Sequence, residues 1–277
     1  MIHIITETTS DLSPELKQRF QIETIPLLVV LKDQTLHDGI DIDLHGLFEY
    51  VTRTGELPKT AAAPLPTYIE AFKQPGEKVF IGLSSKLSAS FQNASLAAKN
   101  LNDPSIYLVD SLNLSTGIGL LVLMAAELRD AGLSAENIAR RVQMAVPKVK
   151  SSFVIDSLDY LHKGGRCSSM QNIIGSLLKI RPVIEVKSDG TLGVKEKLHG
   201  ARKKALTTLI DNFKADLPDI DLHRVFITHT LCDEDALFVK NEILKICSPD
   251  EICITYAGSV IGSHCGPNTL GILYLLK

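Results

Sequence analysis

Short apolar runs alternate with segments of helical periodicity through the first half of the chain. The runs predict strands at Ile2–Thr6, Thr24–Leu31, Lys78–Leu83 and Ile106–Asp110. The periodic segments predict helices at Pro14–Phe20, Leu44–Thr52, Pro66–Phe72, Ser88–Asn100, Leu114–Ala131 and Ala135–Ala145. Signals that alternate in this way favour a mainly parallel sheet covered by helices. Strands this short and apolar fit a sheet that is buried on both faces.

The second half of the chain has a different order of signals. Two strand-like runs flank Ser188-Asp189-Gly190, which predicts a hairpin, and strands and helices of mixed spacing follow. The predicted elements are strands Val183–Lys187 and Leu192–Lys197, a helix carrying Leu206, Leu209, Ile210 and Phe213, strand Val225–His229, helix Ala236–Ile246, and strands Ile252–Ala257 and Gly271–Leu276. We therefore predict two α/β domains. Residues 1–150 hold the mainly parallel sheet with flanking helices, and residues 151–277 form a mixed α/β domain.

Composition narrows the classes of protein that this chain can represent. Its 277 residues suit one large or two medium domains. The net charge of −3 ranks nucleic acid low among partners, because proteins that bind it usually carry a basic excess. Neither the N-terminal Met1–Thr6 segment nor the apolar run Ile118–Leu128 has the pattern of a secretory signal or a membrane span. A soluble, cytoplasmic protein is expected.

The cysteines predict neither a disulfide framework nor a zinc site. Their number is odd and no C-x-x-C spacing occurs, so reduced thiols are the expectation and no metal site is predicted. The five are Cys167, Cys232, Cys247, Cys253 and Cys265.

The first candidate site is the serine-rich segment Ser84–Phe91, between a predicted strand and a predicted helix. A helix start offers free backbone N–H groups and the positive end of the helix dipole, which suit a carboxylate or phosphate. The hydroxyls of Ser88 and Ser90 would add donors. The alternative is that these serines cap the helix, and the spacing alone favours that alternative.

A second strand-to-helix connection contains Gly117-x-Gly119, which is half of a dinucleotide-binding fingerprint. Val122 occupies the third glycine position, and the glycines lie too far past the strand to form the phosphate turn. Close packing of this helix against an apolar neighbour is the better interpretation.

Two glycine-containing segments in the second half are further candidates. His162-Lys163-Gly164-Gly165-Arg166 is typical either of an anion or partner contact or of a capped helix C-terminus, and both interpretations remain open. Gly262–Pro267 presents His264 in a glycine-rich loop, where a histidine can donate to a ligand or act as a general base. Adjacent side chains tend to diverge, which weakens a Cys265–His264 nucleophile pair. Lys59–Pro66 reads as a loop.

The natural enzymatic alternative is a serine hydrolase with Ser88 as nucleophile and His264 as base. The chain contains no G-x-S-x-G sequence, and Ser88 lacks the flanking glycines that allow a strained nucleophile turn. This hypothesis therefore ranks below a binding function.

The order of these segments resembles the DegV family of bacterial fatty-acid-binding proteins. The matching segments extend from Glu7 to Pro267 and so cover nearly the whole chain. The two glycine-containing segments of the second half are quite specific in combination, and the others are weak singly. The six segments are Glu7-Thr8-Thr9-Ser10-Asp11, Lys59-Thr60-Ala61, Ser84–Ser90, Asp110-Ser111 with Gly117 and Gly119, Leu161–Arg166, and Gly262–Pro267.

The resemblance implies two α/β domains with a lipid held between them. It also implies the carrier subunit of a fatty-acid kinase system, which presents the lipid carboxylate to a separate ATP-dependent kinase subunit. By position, the implied carboxylate contacts are Thr60, Ser88 and His264, with backbone N–H groups of Ala89 and Ser90. The same comparison implies that Lys163 and Arg166 lie near the mouth and meet the kinase or an acyl phosphate.

Four positions depart from the family pattern. Ala61 stands where a serine is usual, Ala89-Ser90 replaces Gly-Thr, and His199 stands where the family usually has arginine. Arg202 lies one helical turn further on. These departures bear on coupling to a kinase more than on lipid binding.

Three hypotheses follow from the sequence. The first is a fatty-acid carrier with no turnover or cofactor of its own, a monomer with transient membrane contact. The second is a serine-dependent lipid ester hydrolase, and the third is a lipid-responsive regulatory protein. For the carrier, an apolar tunnel would supply most of the affinity, since burial of each methylene contributes roughly 0.8 kcal/mol. The predicted helix residues Gly117–Leu128 and the segment Ile173–Ile180 are candidates for its lining.

Overall fold

The computed structural model describes residues 1–166 and 180–277. Cys167 and nearly all of the Ile173–Ile180 segment lie outside the described residues. The strands in the described ranges are β1 (Ile2–Glu7), β2 (Ile22–Ile25), β3 (Leu28–Leu31), β4 (Gln34–His37), β5 (Lys59–Ala61), β6 (Glu77–Gly82), β7 (Ile106–Asp110), β8 (Val149–Val154), β9 (Ile180–Val186), β10 (Leu192–His199), β11 (Ile220–His229), β12 (Glu251–Tyr256) and β13 (Leu270–Leu276). The helices are α1 (Pro14–Arg19), α2 (Leu44–Thr54), α3 (Leu65–Phe72), α4 (Ser90–Leu101), α5 (Thr116–Asp130), α6 (Ala135–Ala145), α7 (Asp159–Lys163), α8 (Arg202–Asp216), α9 (Asp233–Leu244) and α10 (Ser259–Cys265).

The first half of the chain builds a four-stranded parallel sheet in the order β2-β1-β6-β7. This confirms the prediction of a parallel sheet with helices between its strands. Because the strands run the same way, the connections that follow β1, β6 and β7 all leave from one edge of the sheet. Ligands bind at this edge in open parallel sheets.

The predicted single strand Thr24–Leu31 is wrong, because the chain turns at Pro26-Leu27. Proline has no N–H to donate to a strand ladder, and the N–H of Leu27 instead donates to Oγ1 of Thr8 at 3.2 Å. The chain then enters a separate antiparallel sheet in the order β4-β3-β5. Residues Lys59–Ala61, expected to be a loop, form the edge strand β5 of this sheet.

The second half forms a six-stranded mixed sheet in the order β10-β9-β8-β13-β11-β12, which confirms a mixed α/β arrangement. The predicted hairpin is present as the antiparallel pair β9–β10. Strand β8 was not predicted. It covers much of the Lys148–Ser152 segment, which contains the predicted domain boundary between residues 150 and 151. It pairs with β13 and β9.

Helix α5 is the element shared by the two halves. Its residues from Thr116 to Leu123 are all buried, and the helix contacts β1 and β6 of the parallel sheet as well as β8, β11 and β13 of the mixed sheet. An added Cβ at Gly117 would lie 2.6 Å from Oγ of Ser151, and one at Gly119 would lie 2.9 Å from Cδ2 of Leu12. These contacts confirm close packing, rather than a phosphate turn, as the role of the two glycines.

Candidate ligand-binding site

A mostly apolar cavity lies where the parallel sheet, the small antiparallel sheet and α10 meet. The empty space within its walls is about 540 Å³, including its open mouth. The polar side chains in its lining are Thr60, Ser88, Arg166 and His264. The apolar lining residues are Leu27, Ala61, Ala62, Leu83, Leu87, Leu114, Leu161, Leu192, Val260, Ile261 and Cys265.

Thr60 and His264 form the closest polar contact of this cavity. Thr60 lies on β5 and His264 on α10, and their Oγ1 and Nε2 atoms are 2.7 Å apart. The sequence motif Gly262–Pro267, expected to be a loop, is therefore largely helical, and the helix carries His264 towards the cavity. Two residues 204 positions apart in the chain therefore meet, and their contact with a carboxylate stays a prediction.

The environment of His264 keeps its imidazole neutral. Burial, and then the positive charge of Arg166, lower the pKa of His264 from 6.5 to about 3. Its Nδ1 has no hydrogen-bond partner among the described residues and packs against Gly164, where an added Cβ would lie only 2.3 Å away. An unpartnered acceptor costs less than an unpartnered donor at this buried position, so the favoured tautomer carries its proton on Nε2 and donates to Thr60.

The serine-rich segment supplies one hydroxyl to the cavity. The helix begins at Ser90, two residues later than predicted, and the N–H of Ser90 donates to Oγ of Ser88 at 3.2 Å. Ser88 lines the cavity, whereas the exposed Ala89 and the buried side chain of Ser90 do not. The expected roles of the Ala89 and Ser90 N–H groups towards a ligand stay predictions.

The glycine-containing segment His162–Arg166 forms a helix C-terminus, and its role as an anion or partner contact stays a prediction. Helix α7 ends at Lys163, as a capped helix C-terminus requires, and Gly165 adopts a φ of +72°. Arg166 then turns back into the cavity wall, where its Nη1 donates to the carbonyl of Gly164 at 2.6 Å and its Nε to that of Leu87 at 3.3 Å. Lys163 is exposed and lies outside the cavity lining.

The sequence suggested Gly117–Leu128 for the apolar lining, but none of these residues is in the wall of this cavity, which other apolar residues form. Leu83 and Leu87 flank the serine motif, so their proximity to it was a usable signal. Leu27, Leu114 and Leu192 come from three distant connections and carry no local pattern that separates them from core residues.

A second, smaller cavity adjoins the first and shares Leu114, Ile261 and Cys265 with it. Its volume is about 330 Å³ including its open part, and it is bounded by β11, β13 and the start of α5. Three side chains thus separate the two spaces. An apolar path could extend from Thr60 and His264 into the interior by movement of these side chains.

The geometry does not favour a hydrolase. Nε2 of His264 pairs with Thr60 instead of Ser88, and no carboxylate within the described part of the chain orients its Nδ1. Burial, with a smaller contribution from Asp11, raises the pKa of the Cys265 thiol to about 12, so this thiol is protonated. Neither nucleophile arrangement considered from the sequence is assembled.

Residues 1–166 and 180–277 contain no cluster of three or more His, Cys, Asp or Glu side chains suited to a metal ion. In the same ranges, no helix has the length and apolar character needed to cross a membrane. Cys232, Cys247, Cys253 and Cys265 are free thiols.

Comparison with known proteins agrees with the motifs. A family model described as uncharacterised protein, DegV family, matches residues 1–277. This chain belongs to the DegV family.

Solved DegV structures share the fold over their whole length. The chain is similar to a DegV family protein from Thermus thermophilus described by its fatty-acid binding, with 27% identity, a TM-score of 0.91, and coverage of 100% of this chain and 99% of that one. DegV from Bacillus subtilis, described as a fatty acid binding protein, is 30% identical, with a TM-score of 0.88 and the same coverage. The fatty acid kinase B3 protein of Streptococcus pneumoniae, loaded with linoleic acid, is 23% identical with a TM-score of 0.87 and full coverage of both chains. At that identity the likeness is one of fold.

The departures from the DegV pattern fall in different surroundings. Ala61 lines the cavity, so the usual serine hydroxyl is missing there. His199 is exposed at the end of β10. The guanidinium of Arg202 is engaged within the chain, because it pairs with Asp156 at 3.0 Å and with Asp235 at 2.5 Å. Its pairing leaves no support for Arg202 as a replacement for the family arginine.

Proposed function

We propose that this DegV protein binds a long-chain fatty acid and presents its carboxylate to a separate ATP-dependent kinase subunit. The observation that carries the proposal is the Thr60–His264 pair at the polar end of a largely apolar cavity. The fatty-acid binding described for the Thermus thermophilus and Bacillus subtilis proteins supports the ligand class.

The head-group chemistry follows from the neutral imidazole. If Nε2–H of His264 donates to Oγ1 of Thr60, the hydroxyl proton of Thr60 is left to donate to a carboxylate oxygen. Ser88, in the serine-rich segment, supplies a second hydroxyl to the cavity lining. Hydroxyl donors stabilise a carboxylate that has lost water, and they leave one oxygen accessible for phosphorylation.

The acyl chain supplies most of the affinity in this proposal. Burial of ~15 methylenes at about 0.8 kcal/mol each amounts to roughly 12 kcal/mol before the costs of association. A hydrogen bond to the charged head group contributes about 1.5–3 kcal/mol. Thr60, Ser88 and His264 therefore fix where the carboxylate lies, while the apolar path, extended through the adjoining cavity, holds the lipid.

Transfer of phosphate requires a partner in this proposal. The chain has no G-x-x-x-x-G-K-[ST] phosphate loop. Arg166, half-buried beside the cavity, would meet an acyl phosphate, whereas the exposed Lys163 is a candidate for contact with the kinase.

Native mass spectrometry of the protein as purified, followed by solvent extraction, tests the ligand. A bound mass of a long-chain fatty acid, released on denaturation, is expected. Protein that is purified without lipid and takes up no added oleate would refute the proposal. Acyl phosphate formed by the isolated chain from ATP would refute the need for a partner.

A further inference from the structure

The buried carboxyl group of Glu7 lies directly behind the proposed head-group site. Glu7 is the last residue of β1, and its exposed fraction is 0%. The hydroxyl of Tyr68 donates to its Oε1 at 2.5 Å, and the backbone N–H of Leu83 donates to its Oε2 at 2.9 Å. The carboxyl group of Glu7 therefore accepts hydrogen bonds from two separate parts of the chain.

The two donors belong to two chain segments that contribute different residues to the cavity lining. Leu83 lines the cavity and opens the segment that leads to Ser88. Tyr68 is fully buried on α3, the helix that follows the Thr60–Ala62 wall. A second tie joins the same walls, because Nδ2 of Asn93 on α4 donates to the carbonyl of Ala63 at 3.0 Å. The separation between Thr60 and Ser88 thus depends on contacts made behind the cavity.

Burial of Glu7 disfavours its charged form. Burial raises the pKa of Glu7, and hydrogen bonds from Tyr68, Leu83 and Ser90 oppose that rise without cancelling it. The buried Ser90 hydroxyl lies beside Glu7 but has no partner of good hydrogen-bond geometry among the described residues.

We propose that Glu7 is a positioning residue for the head-group site, fixing the Leu83–Ser88 wall against the Thr60–Tyr68 wall so that both hydroxyls reach one carboxylate. This inference rests on the proposed function, since it needs a fatty-acid carboxylate in the cavity. It assigns no contact between Glu7 and the ligand.

Substitutions separate positioning from a general loss of stability. Glu7→Gln keeps the shape, because its amide oxygen accepts from Leu83 and its amide N–H donates to the Tyr68 hydroxyl. Glu7→Ala removes both ties. Thr6→Val is the matched control, since the neighbouring buried hydroxyl donates to the carbonyl of Ile81 at 2.8 Å and joins neither wall.

The measurement uses palmitate labelled with ¹³C at its carboxyl carbon, whose NMR shift reports its hydrogen bonding, together with the rate of palmitate release. Glu7→Gln and Thr6→Val should keep the wild-type shift. Glu7→Ala should change the shift and release palmitate about tenfold faster, as expected for loss of roughly one head-group hydrogen bond. Tyr68→Phe, which removes one tie, should change the shift in the same direction and serves if Glu7→Ala does not fold.

The outcomes distinguish the two proposals. Wild-type protein that binds palmitate, with an unchanged shift in Glu7→Ala or, where that variant does not fold, in Tyr68→Phe, would overturn the role of Glu7 and leave the proposed function intact. Wild-type protein that binds no palmitate would overturn both. A Glu7→Gln variant as impaired as Glu7→Ala would also contradict positioning through these two hydrogen bonds.

Discussion

The hydroxyl of Thr60 is placed so that one hydrogen bond orients it and another is left for a ligand. Its Oγ1 lies 2.7 Å from Nε2 of His264, and the tautomer argument leaves its proton for a carboxylate. A valine at this position would keep the shape and the strand propensity of threonine. It could neither accept a hydrogen bond from His264 nor donate one to a carboxylate. The residue therefore affects the binding of the head group more than the fold.

Thr60→Val is expected to weaken oleate binding by about 1.5–3 kcal/mol, the contribution of one hydrogen bond to a charged group. Isothermal titration calorimetry measures the change. Thr35→Val is the control. Thr35 on β4 pairs with Val30 of β3, just as Thr60 on β5 pairs with Val29 on the other side of β3. Equal affinities in the two variants would contradict the assigned role of Thr60.

The lowered pKa of His264 predicts the direction in which its contribution to stability changes with pH. The folded protein holds this imidazole neutral down to about pH 3, whereas its ordinary pKa is 6.5. Between these values the unfolded chain binds more protons at this residue, so its contribution to stability falls as the pH falls, by up to ~1.4 kcal/mol per pH unit. The raised pKa values of Glu7, Asp11 and Asp38 act in the opposite direction.

A difference measurement removes those opposing groups. We expect the free energy of unfolding of wild type, minus that of His264→Gln, to decrease as the pH is lowered from about 7 to about 5. Urea denaturation at both pH values gives the difference. A difference independent of pH would show that folding does not lower the pKa of His264.

At the scale of elements, α7 and α10 cross at a point that admits no side chain. An added Cβ at Gly164 would lie 2.3 Å from Nδ1 of His264 and 2.8 Å from the carbonyl of Tyr160. The φ of Gly164 is ordinary, at −72°, so close approach rather than backbone conformation requires glycine there. The end of α7 therefore sets the position of the imidazole.

Gly164→Ala should displace His264 and destabilise the fold by about 1–3 kcal/mol, the usual cost of overpacking, and it should also release bound oleate faster. Gly46→Ala in α2 is the control, since an added Cβ there meets its nearest atom at an ordinary 3.5 Å. Thermal unfolding with and without oleate measures both effects. A Gly164→Ala protein with wild-type retention would show that the imidazole can move without loss of function.

The elements that the sequence predicted are those with a strong local period. Strand β1, strand β7 and helix α6 lie within a residue of their predicted bounds, because buried runs and an amphipathic helix leave a clear pattern. Strand β5 has only three residues, too few for a local pattern, so its pairing with β3 is a tertiary effect. Pro26 separates β2 from β3, but the apolar residues on both sides of it have the pattern of one continuous strand.

The candidate site divides in the same way. Thr60, Ser88, Arg166 and His264 could be predicted because the family resemblance carried their motifs together. Glu7 and Tyr68 meet across 61 positions with no shared local pattern. Leu192 reaches the cavity through the docking of the second half of the chain onto the first. Long-range contacts of this kind are decided by packing of the whole molecule.

At the scale of the whole molecule, the turn of the β9–β10 hairpin joins the two halves beside the site. The hydroxyl of Ser84, in the serine-rich segment, donates to the carbonyl of Gly190 at 2.8 Å. Gly190 has a φ of +83°, and an added Cβ would lie 2.5 Å from Oγ of Ser84. Two residues beyond this turn, Leu192 enters the cavity lining. The hairpin therefore ties the mixed sheet to the wall that carries Ser88.

Gly190→Ala should loosen this tie, because the added methyl group must displace either Ser84 or the hairpin. Gly132→Ala is a closely matched control, since Gly132 has the same φ of +83° but an added Cβ would meet nothing within 4 Å. Backbone strain of about 1–2 kcal/mol should therefore appear in both variants, while faster hydrogen exchange in residues 84–88 and faster release of oleate should appear in Gly190→Ala alone. Equal effects in the two variants would mean that backbone strain alone accounts for the changes in hydrogen exchange and oleate release. The hairpin would then have no role in positioning the site. Because Ser84 and Ser88 share one turn, with the N–H of Ser88 donating to the carbonyl of Ser84 at 3.2 Å, a shift of the hairpin would be transmitted to the proposed head-group hydroxyl.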